Sequence, residues 1–124
     1  NLEENTIRTA LDRIAKRVQV GTYWGVTAIE EGVPVGLVLI DGEGPAAVID
    51  NLYVVPGSRR RGIGKRLVLQ ALERLQQEQV GSIELMVTAE NEEAFHLYQA
   101  LGFKVARYRM RKVIGGMREE KYPL

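Results

Sequence analysis

Hydrophobic residues recur at the three- and four-residue spacing of an amphipathic helix in three segments of the chain. The first segment predicts a helix over 6–18, which Gly21 would end. The second, 62–79, is the longest, and its apolar stripe is as wide as a helix facing a core needs. The third covers about 94–101 and precedes Gly102, which stands in the position of a C-cap glycine. The pattern therefore predicts three helices.

β-prone runs separate these helical segments. Runs at 23–29 and 33–40 are joined by Glu30-Glu31-Gly32, which has the composition of a tight hairpin turn. A third run, 46–55, is apolar on both faces at most positions, and Pro56-Gly57 stops it. We expect this run to be the central strand of a sheet.

Two further strands complete the pattern. Residues 83–87 alternate apolar and polar, and residues 103–113 alternate imperfectly and are rich in Arg and Tyr, which predicts one or two final strands. The order of elements is helix, strand, strand, strand, helix, strand, helix, strand, and it predicts an α/β fold. The central strand, the long helix and the next strand would form one right-handed crossover.

Length and composition indicate one domain over residues 1–124, with 45% apolar and 27% charged residues in 13.9 kDa. No window approaches the roughly 18 apolar residues of a membrane span, and the first residues are acidic rather than the basic start of a signal peptide. The chain has no cysteine, which excludes disulfides, a thiol nucleophile and thiolate metal sites. We therefore expect a protein of the cytoplasm that holds no metal and does not bind a membrane.

The formal net charge is only +1, which argues against recruitment of nucleic acid by a global field. Basic residues are nevertheless concentrated between positions 59 and 66, with no acidic residue among them: Arg59, Arg60, Arg61, Lys65 and Arg66. This segment links a predicted buried strand to the long predicted helix. The first N–H groups of a helix lack internal partners, and two glycines let phosphate oxygens approach the backbone. The segment therefore predicts a pyrophosphate site.

Two other phosphate-binding motifs fit the spacing less well. Gly57 and Gly62 have the separation of a Walker A loop, but Ile63 and Gly64 stand where Lys and Ser or Thr would be needed. A dinucleotide fingerprint starting at Gly62 would place its third small residue at Leu67, and 124 residues leave no room for a full doubly wound sheet. We therefore reject a nucleotidase and do not favour a dinucleotide-binding domain.

The stretch Arg59-Arg60-Arg61-Gly62-Ile63-Gly64 resembles the acetyl-CoA signature of the GNAT superfamily of N-acetyltransferases, which is Arg or Gln, two residues, Gly, one residue, Gly or Ala. A second stretch, 91–103, resembles the family's other signature, an Asn, an Ala and a Leu-Tyr pair leading to Gly-Phe. The resemblance is specific from about 48 to 103. It implies a single mixed, mostly antiparallel sheet flanked by helices. The family usually begins with a further strand, which we expect to be missing here or supplied otherwise.

The resemblance also implies roles for particular residues. The backbone of the central strand would bind the pantetheine arm, amides from Arg60 to Lys65 would hold the pyrophosphate, and Arg59, Arg60 or Lys65 would reach the 3′-phosphate. Asn91 would cap a helix and contact the cofactor. The predicted cofactor-binding residues are Tyr53, Val54, Val55, Arg59, Arg60, Arg61, Gly62, Ile63, Gly64, Lys65 and Asn91.

Tyr98 matches the position that protonates the departing CoA thiolate in many family members, since a neutral phenol can donate to the sulfur. The alternative is that Tyr98 belongs to the apolar face of its helix. The strand position that carries a glutamate base in some relatives is Val48 here, so no base is assigned, and Asp50 and Glu84 stand as options. We expect His96 to lie on the surface.

The leading hypothesis is an enzyme that transfers an acetyl or short acyl group from acetyl-CoA to a primary amine, by direct attack in a ternary complex. The acceptor would be a small-molecule amine, a peptide N-terminus or a lysine, and a homodimer is compatible with the sequence. The alternative is a catalytically inactive CoA-binding sensor or interaction module, which the uncertain base keeps open.

Overall fold

The computed structural model describes residues 7–9, 23–42 and 46–115. The chain forms two compact units, Asn1–Met86 and Val87–Leu124, and each is described by itself. Of the helix predicted over 6–18, only residues 7–9 are described; they are helical, and Ile7 is buried. The rest of that prediction lies outside the described residues. Among the helices of the described ranges, none is long and apolar enough to cross a membrane.

A four-stranded sheet forms the centre of the first unit. Its strands are β1 (Tyr23–Glu30), β2 (Val33–Asp41), β3 (Ala47–Val54) and β4 (Ile83–Leu85), and they lie in the order β1-β2-β3-β4. The pairs β1–β2 and β2–β3 are antiparallel, and β3–β4 is parallel. The prediction of a mixed, mostly antiparallel sheet is confirmed.

The β1–β2 connection is a two-residue turn in which Glu31 has φ 48° and Gly32 has φ 78°. Positive φ at both central positions is the type I′ arrangement, whose twist matches that of the flanking strands. Glu30 and Val33 form the last pair of the ladder before this turn. The turn therefore fixes the backbone of Glu30 at the end of β1.

Helix α1 (Ile63–Gln77) connects the parallel strands β3 and β4 and packs on the sheet. Its buried stripe is the one that the periodicity predicts: Ile63, Leu67, Val68, Ala71 and Leu75. The helix approaches β2 closely at Gly36, where a Cβ would lie 3.0 Å from Leu67 Cδ1 and 3.1 Å from Ile63 Cγ2. Absence of a side chain at Gly36 thus sets the distance between α1 and the sheet.

Strand β3 is central, but the expectation that both of its faces are apolar and buried is wrong. Ala47 and Ile49 are buried, whereas Val48, Asp50 and Asn51 are exposed. The register with β2 shifts at this point, because Leu39 faces Asn51 while Ile40 faces Ile49. Asp50 is the extra residue of a β-bulge, which breaks the alternation and turns two successive polar side chains toward solvent.

The second unit contains helix α2 (Glu92–Ala100), and Gly102 ends it as predicted, with φ 95°. Gly102 N–H donates to Gln99 C=O at 3.0 Å, and Phe103 N–H donates to Tyr98 C=O at 3.0 Å. These two bonds are those of a Schellman motif. The rings of Tyr98 and Phe103 meet edge to face, with centroids 5.5 Å apart, and supply the apolar contact that accompanies this motif.

The prediction of one or two final strands over 103–113 is wrong, because the structure places neither helix nor strand among residues 103–114. A strand needs ladder hydrogen bonds and at least one face that packs on other residues. From 104 to 115 every residue is exposed, so the imperfect alternation of Arg, Tyr and aliphatic residues creates no buried face.

Candidate functional site

Strands β3 and β4 diverge after a short parallel ladder, which ends with the pair Ile49 and Leu85. Beyond that pair β3 continues to Val54 and stays paired with β2. Val55 N–H donates to Val35 C=O at 2.9 Å, and backbone groups alternate in direction along a strand. Of the predicted pantetheine-binding residues, Val54 is therefore the one whose N–H and C=O point away from β2, toward the fork between β3 and β4. The backbone groups of Tyr53 and the N–H of Val55 face β2, whereas Val55 C=O accepts from Ser58 N–H.

The loop after β3 begins with a turn of 3₁₀-helix, Pro56–Ser58, and then adopts two left-handed conformations. Arg60 has φ 64° and Gly62 has φ 77°. Gly62 is the N-cap of α1 and supplies no side-chain cap, and the first internal bond runs from Arg66 N–H to Gly62 C=O at 3.0 Å.

The amides at the start of α1 are the orphan donors of this helix. They belong to Ile63, Gly64 and Lys65, and they lie at the positive end of the helix dipole. A Cβ built on Gly62 would meet nothing within 4 Å, so the space beside this terminus is open. An anion can therefore reach the backbone here.

Two of the arginines in the loop bind protein groups. Arg59 Nε donates to Val54 C=O at 2.8 Å, and its guanidinium lies 5.7 Å from the centroid of the Tyr53 ring. Arg61 Nη2 donates to Glu30 Oε1 at 2.5 Å. Arg60 and Lys65 have exposed side chains that make no hydrogen bond or ion pair with any residue the structure describes. Arg60 and Lys65 are therefore available to a bound phosphate.

Glu30, at the end of β1, contacts the loop that leads into α1, and no pattern in the sequence pointed to it. Its carboxylate accepts from Arg61 and, at 3.4 Å, from the hydroxyl of the buried Ser58. The hydrogen bond from Arg61 is the main reason that the pKa of Glu30 is lowered, so the carboxyl is ionised at neutral pH. The 31-residue separation between Glu30 and Arg61 explains why no local pattern revealed the contact.

Asp50 extends from the bulge of β3, one residue beyond the last pair with β4. Its carboxylate accepts a hydrogen bond of 2.6 Å from the Tyr23 hydroxyl. Val48, which stands where some relatives have a glutamate, is 38% exposed and pairs with Asp41 on one side and Glu84 on the other. Acidic side chains therefore lie at the fork, although position 48 is not a glutamate.

Tyr98 is only 7% exposed, and this burial raises the pKa of its phenol. The hydroxyl makes no hydrogen bond with the parts of the chain that the structure describes. No fully buried side-chain polar atom in those parts lacks a partner, so the hydroxyl reaches the surface of its unit. The side chain is both a member of the apolar face of α2 and an available proton donor.

Asn91 is the N-cap of α2, and its Oδ1 accepts from Ala94 N–H at 3.1 Å. The predicted capping role is confirmed, and the predicted cofactor contact stays a prediction. His96 is exposed, as expected. Within the described ranges no three His, Asp or Glu side chains come together in a way that could hold a metal ion.

The family model described as the Acetyltransferase (GNAT) family matches residues 3–103. The chain is 32% identical over 97 residues to a mycothiol acetyltransferase of Nocardia farcinica (strain IFM 10152), over 78% of this chain and 28% of that protein. Its fold is similar to that of the PaiA N-acetyltransferase from Thermoplasma acidophilum in complex with coenzyme A, with a TM-score of 0.73 and 24% identity over 80% of this chain and 63% of that chain. It is also similar to the ribosomal-protein-S18-alanine N-acetyltransferase from Escherichia coli, with a TM-score of 0.66 and 27% identity over 69% of this chain and 56% of that chain.

The chain belongs to the GNAT family of acetyltransferases. The family match crosses from the first unit into the second, since it runs past Met86 to residue 103. The chain spans 17% to 28% of the length of the mycothiol acetyltransferases that it matches.

The chemistry of coenzyme A fits the residues at the start of α1. A pyrophosphate is an anion, and the site offers uncapped amides, a left-handed Gly62 with open space beside it, and the exposed cations Arg60 and Lys65. Strand β3 adds the Val54 backbone, which points into the fork.

Proposed function

We propose that the chain is an N-acetyltransferase that transfers an acetyl or short acyl group from acetyl-CoA to a primary amine, by direct attack in a ternary complex. The observation that carries this proposal is the order of structural features along the backbone from β3 to the start of α1. Strand β3 leaves its parallel partner at Ile49, presents Val54 to the fork and leads through a left-handed Gly62 into the uncapped start of α1. This arrangement supports a ligand with an extended amide chain that ends in a pyrophosphate.

In this proposal the cofactor's phosphates bind the amides at the start of α1, and Arg60 and Lys65 supply countercharge. The pantetheine arm lies along β3 and exchanges hydrogen bonds with the Val54 backbone. Because Arg59 Nε already donates to Val54 C=O, an amide N–H of the cofactor would replace that donor and release Arg59 toward the phosphates.

The reaction forms a C–N bond to the acetyl carbon and breaks its C–S bond. An acceptor ammonium and acetyl-CoA give an acetamide, free CoA thiol and one proton. Residues 1–124 cannot carry the acetyl group as a thioester, since they contain no cysteine. Tyr98 is proposed as the donor that protonates the departing thiolate, which its neutral phenol supports. Asn91 is proposed to contact the cofactor in addition to capping α2.

The acceptor is proposed to be a cationic primary amine, either a small molecule or a peptide N-terminus or lysine. Acidic side chains at the fork, Asp50 and Glu84, support a cation there. The relatives' names point to such acceptors, since one of them acetylates an alanine of a ribosomal protein. Residues 1–124 are proposed to act as one acyltransferase domain, supported by the family match across both units. The proposed location is the cytoplasm, which the lack of cysteine suits.

The test is a screen of amines and peptides for free thiol released from acetyl-CoA, together with calorimetry of CoA binding. We expect CoA to bind and at least one amine to release thiol above the rate of hydrolysis. CoA binding without thiol release from any amine would favour an inactive CoA-binding sensor, for which the exposed Val48 in place of a glutamate is the supporting observation. No CoA binding would contradict both functions.

A further inference from the structure

The backbone of the loop between β3 and α1 is under conformational strain at a residue that is not glycine. Arg60 has φ 64°, two residues before Gly62 with φ 77°. Side chains with a Cβ disfavour the left-handed region, and such conformations persist only where the surroundings hold them in place. The loop therefore gains from a support that lies outside its own sequence.

Glu30 is that support, because one carboxylate binds the loop on both sides of Arg60. Oε1 accepts from Ser58 before the left-handed residue and from Arg61 after it. Ser58 is buried, and its N–H donates to Val55 C=O at 2.9 Å, so this end of the loop is fixed to the end of β3. Glu30 is in turn fixed at the end of the β1–β2 hairpin by the type I′ turn that follows it.

A carboxylate close to a phosphate site has two opposing effects. It repels an anion and competes for Arg61, but it also holds the loop in the shape that presents the amides of α1. The charge of Glu30 is neutralised by Arg61, and both side chains are about half exposed, at 42% and 52%, so solvent screens the repulsion. Order in the loop before the ligand arrives reduces the entropy that binding must remove. The holding effect therefore outweighs the repulsion.

We propose that Glu30 is a positioning residue for the cofactor's pyrophosphate, acting through Arg61 and Ser58 on the loop that leads into α1. This inference rests on the proposed function, because it assumes that the loop binds CoA. It assigns Arg61 to the support of the loop and leaves phosphate contact to Arg59, Arg60, Lys65 and the helix amides.

The experiment compares Glu30→Ala and Glu30→Gln with Glu31→Gln, a matched control in the next position of the same hairpin. We expect Glu30→Ala to raise the dissociation constants of CoA and 3′-dephospho-CoA by about three- to tenfold. The dissociation constant of pantetheine, which has no phosphate, should stay unchanged. Glu30→Gln keeps an acceptor for Ser58 and Arg61, so its loss of affinity for CoA should be smaller. Glu31→Gln should bind all three ligands as wild type does.

A double-mutant cycle tests the route through Arg61. If Glu30 acts by holding Arg61, the variant with both Glu30→Ala and Arg61→Ala should bind CoA about as well as Arg61→Ala alone. Additive losses, or a Glu30→Ala variant with unchanged or tighter CoA binding, would overturn the inference and leave the proposed function standing. Failure of the wild type to bind CoA would overturn both. Circular dichroism of each variant confirms that it is folded.

Discussion

Local structure at the end of α2 fixes the position of Tyr98, the proposed proton donor. The Schellman motif at the end of α2 brings Phe103 back over the Tyr98 ring, and the edge-to-face contact restricts the ring's orientation. Burial raises the pKa of the phenol above its ordinary value, so the phenol is neutral at neutral pH. A proton donor needs both properties, a fixed direction and a retained proton.

Replacing Tyr98 with Phe removes the hydroxyl and keeps the ring that packs against Phe103. We expect turnover to fall about ten- to a thousandfold, with little change in the dissociation constant of CoA, because the lost interaction is made mainly in the transition state. Tyr108→Phe is the matched control, since Tyr108 is 87% exposed and should tolerate the change. Thiol release should be followed at several pH values, because water can replace the donor at low pH. Equal turnover of the two variants at every pH would return Tyr98 to a packing role.

The raised pKa of Tyr98 also predicts how this side chain affects stability as the pH rises. A folded-state pKa above the unfolded value means that the neutral phenol is favoured by the fold. The contribution of this neutral phenol to stability is fully present below pH 10, its ordinary pKa. The contribution is lost as the pH rises through the pKa of the folded state. The difference in phenolate absorbance between wild type and Tyr98→Phe should therefore titrate with a midpoint above pH 10. A midpoint at or below 10 would contradict the burial of this side chain.

At the scale of elements, the start of α1 requires a left-handed backbone at Gly62 and space for a phosphate beside Gly64. Separate substitutions at the two glycines can distinguish these requirements. Gly62 has a left-handed backbone, so any side chain there strains the fold before it meets a ligand. Gly64 lies inside the first turn of the helix, and its backbone is not left-handed, so a side chain adds no backbone strain. Gly64 is therefore the better position for testing approach of a phosphate.

Gly64→Val should leave the free energy of unfolding within about 0.5 kcal/mol of wild type, because Val and Gly have similar low helix propensities. It should weaken CoA binding at least tenfold if the branched side chain occupies the space of the phosphates. Gly64→Ala should bind nearly as wild type does, since the family signature accepts Ala at this position. Calorimetry measures the affinity of both variants for CoA. Gly81→Val is the control, because Gly81 has open space around it. Unchanged affinity in Gly64→Val would place the pyrophosphate elsewhere.

Packing between α1 and the sheet depends on Gly36. A Val side chain there would add two methyl groups where a Cβ alone already lies 3.0 Å from Leu67 Cδ1. We expect Gly36→Val to lower the free energy of unfolding by about 1–3 kcal/mol, the usual range for overpacking. Chemical denaturation measures it. A stability equal to that of wild type would show that α1 can move away from β2 without cost.

Elements whose pattern is local could be predicted from the sequence, and those that depend on distant partners could not. The hairpin turn, the stripe of α1 and the cap at Gly102 each follow from a few neighbouring residues. The bulge at Asp50 and the lack of strands over 103–113 depend on which residues lie opposite, and periodicity holds no information on that. The loop itself was predictable from its glycines and arginines, but the partners of Arg59 and Arg61 were not, because Val54 and Glu30 are reached only through the fold.

At the scale of the whole molecule, function would come from a local concentration of charge on a nearly neutral chain. The formal net charge is +1, yet five basic residues lie between Arg59 and Arg66. Part of that charge is compensated internally, since Glu30 binds Arg61. In the proposed function, the remaining cations and the helix amides bind phosphate, while β3 binds an apolar, amide-bearing arm of the same ligand. ATP and NAD carry phosphates but lack such an arm.

The central claim is that this chain binds CoA through the loop and the fork, and thermal unfolding with added ligand tests it most directly. A ligand at 100 times its dissociation constant stabilises the native state by about 2.7 kcal/mol, which corresponds to roughly 10 °C for a chain of this length. We predict a rise of that order with saturating acetyl-CoA or CoA, and none with ATP or NAD at equal concentration. An unchanged melting temperature with millimolar CoA, or an equal rise with all four ligands, would contradict the account.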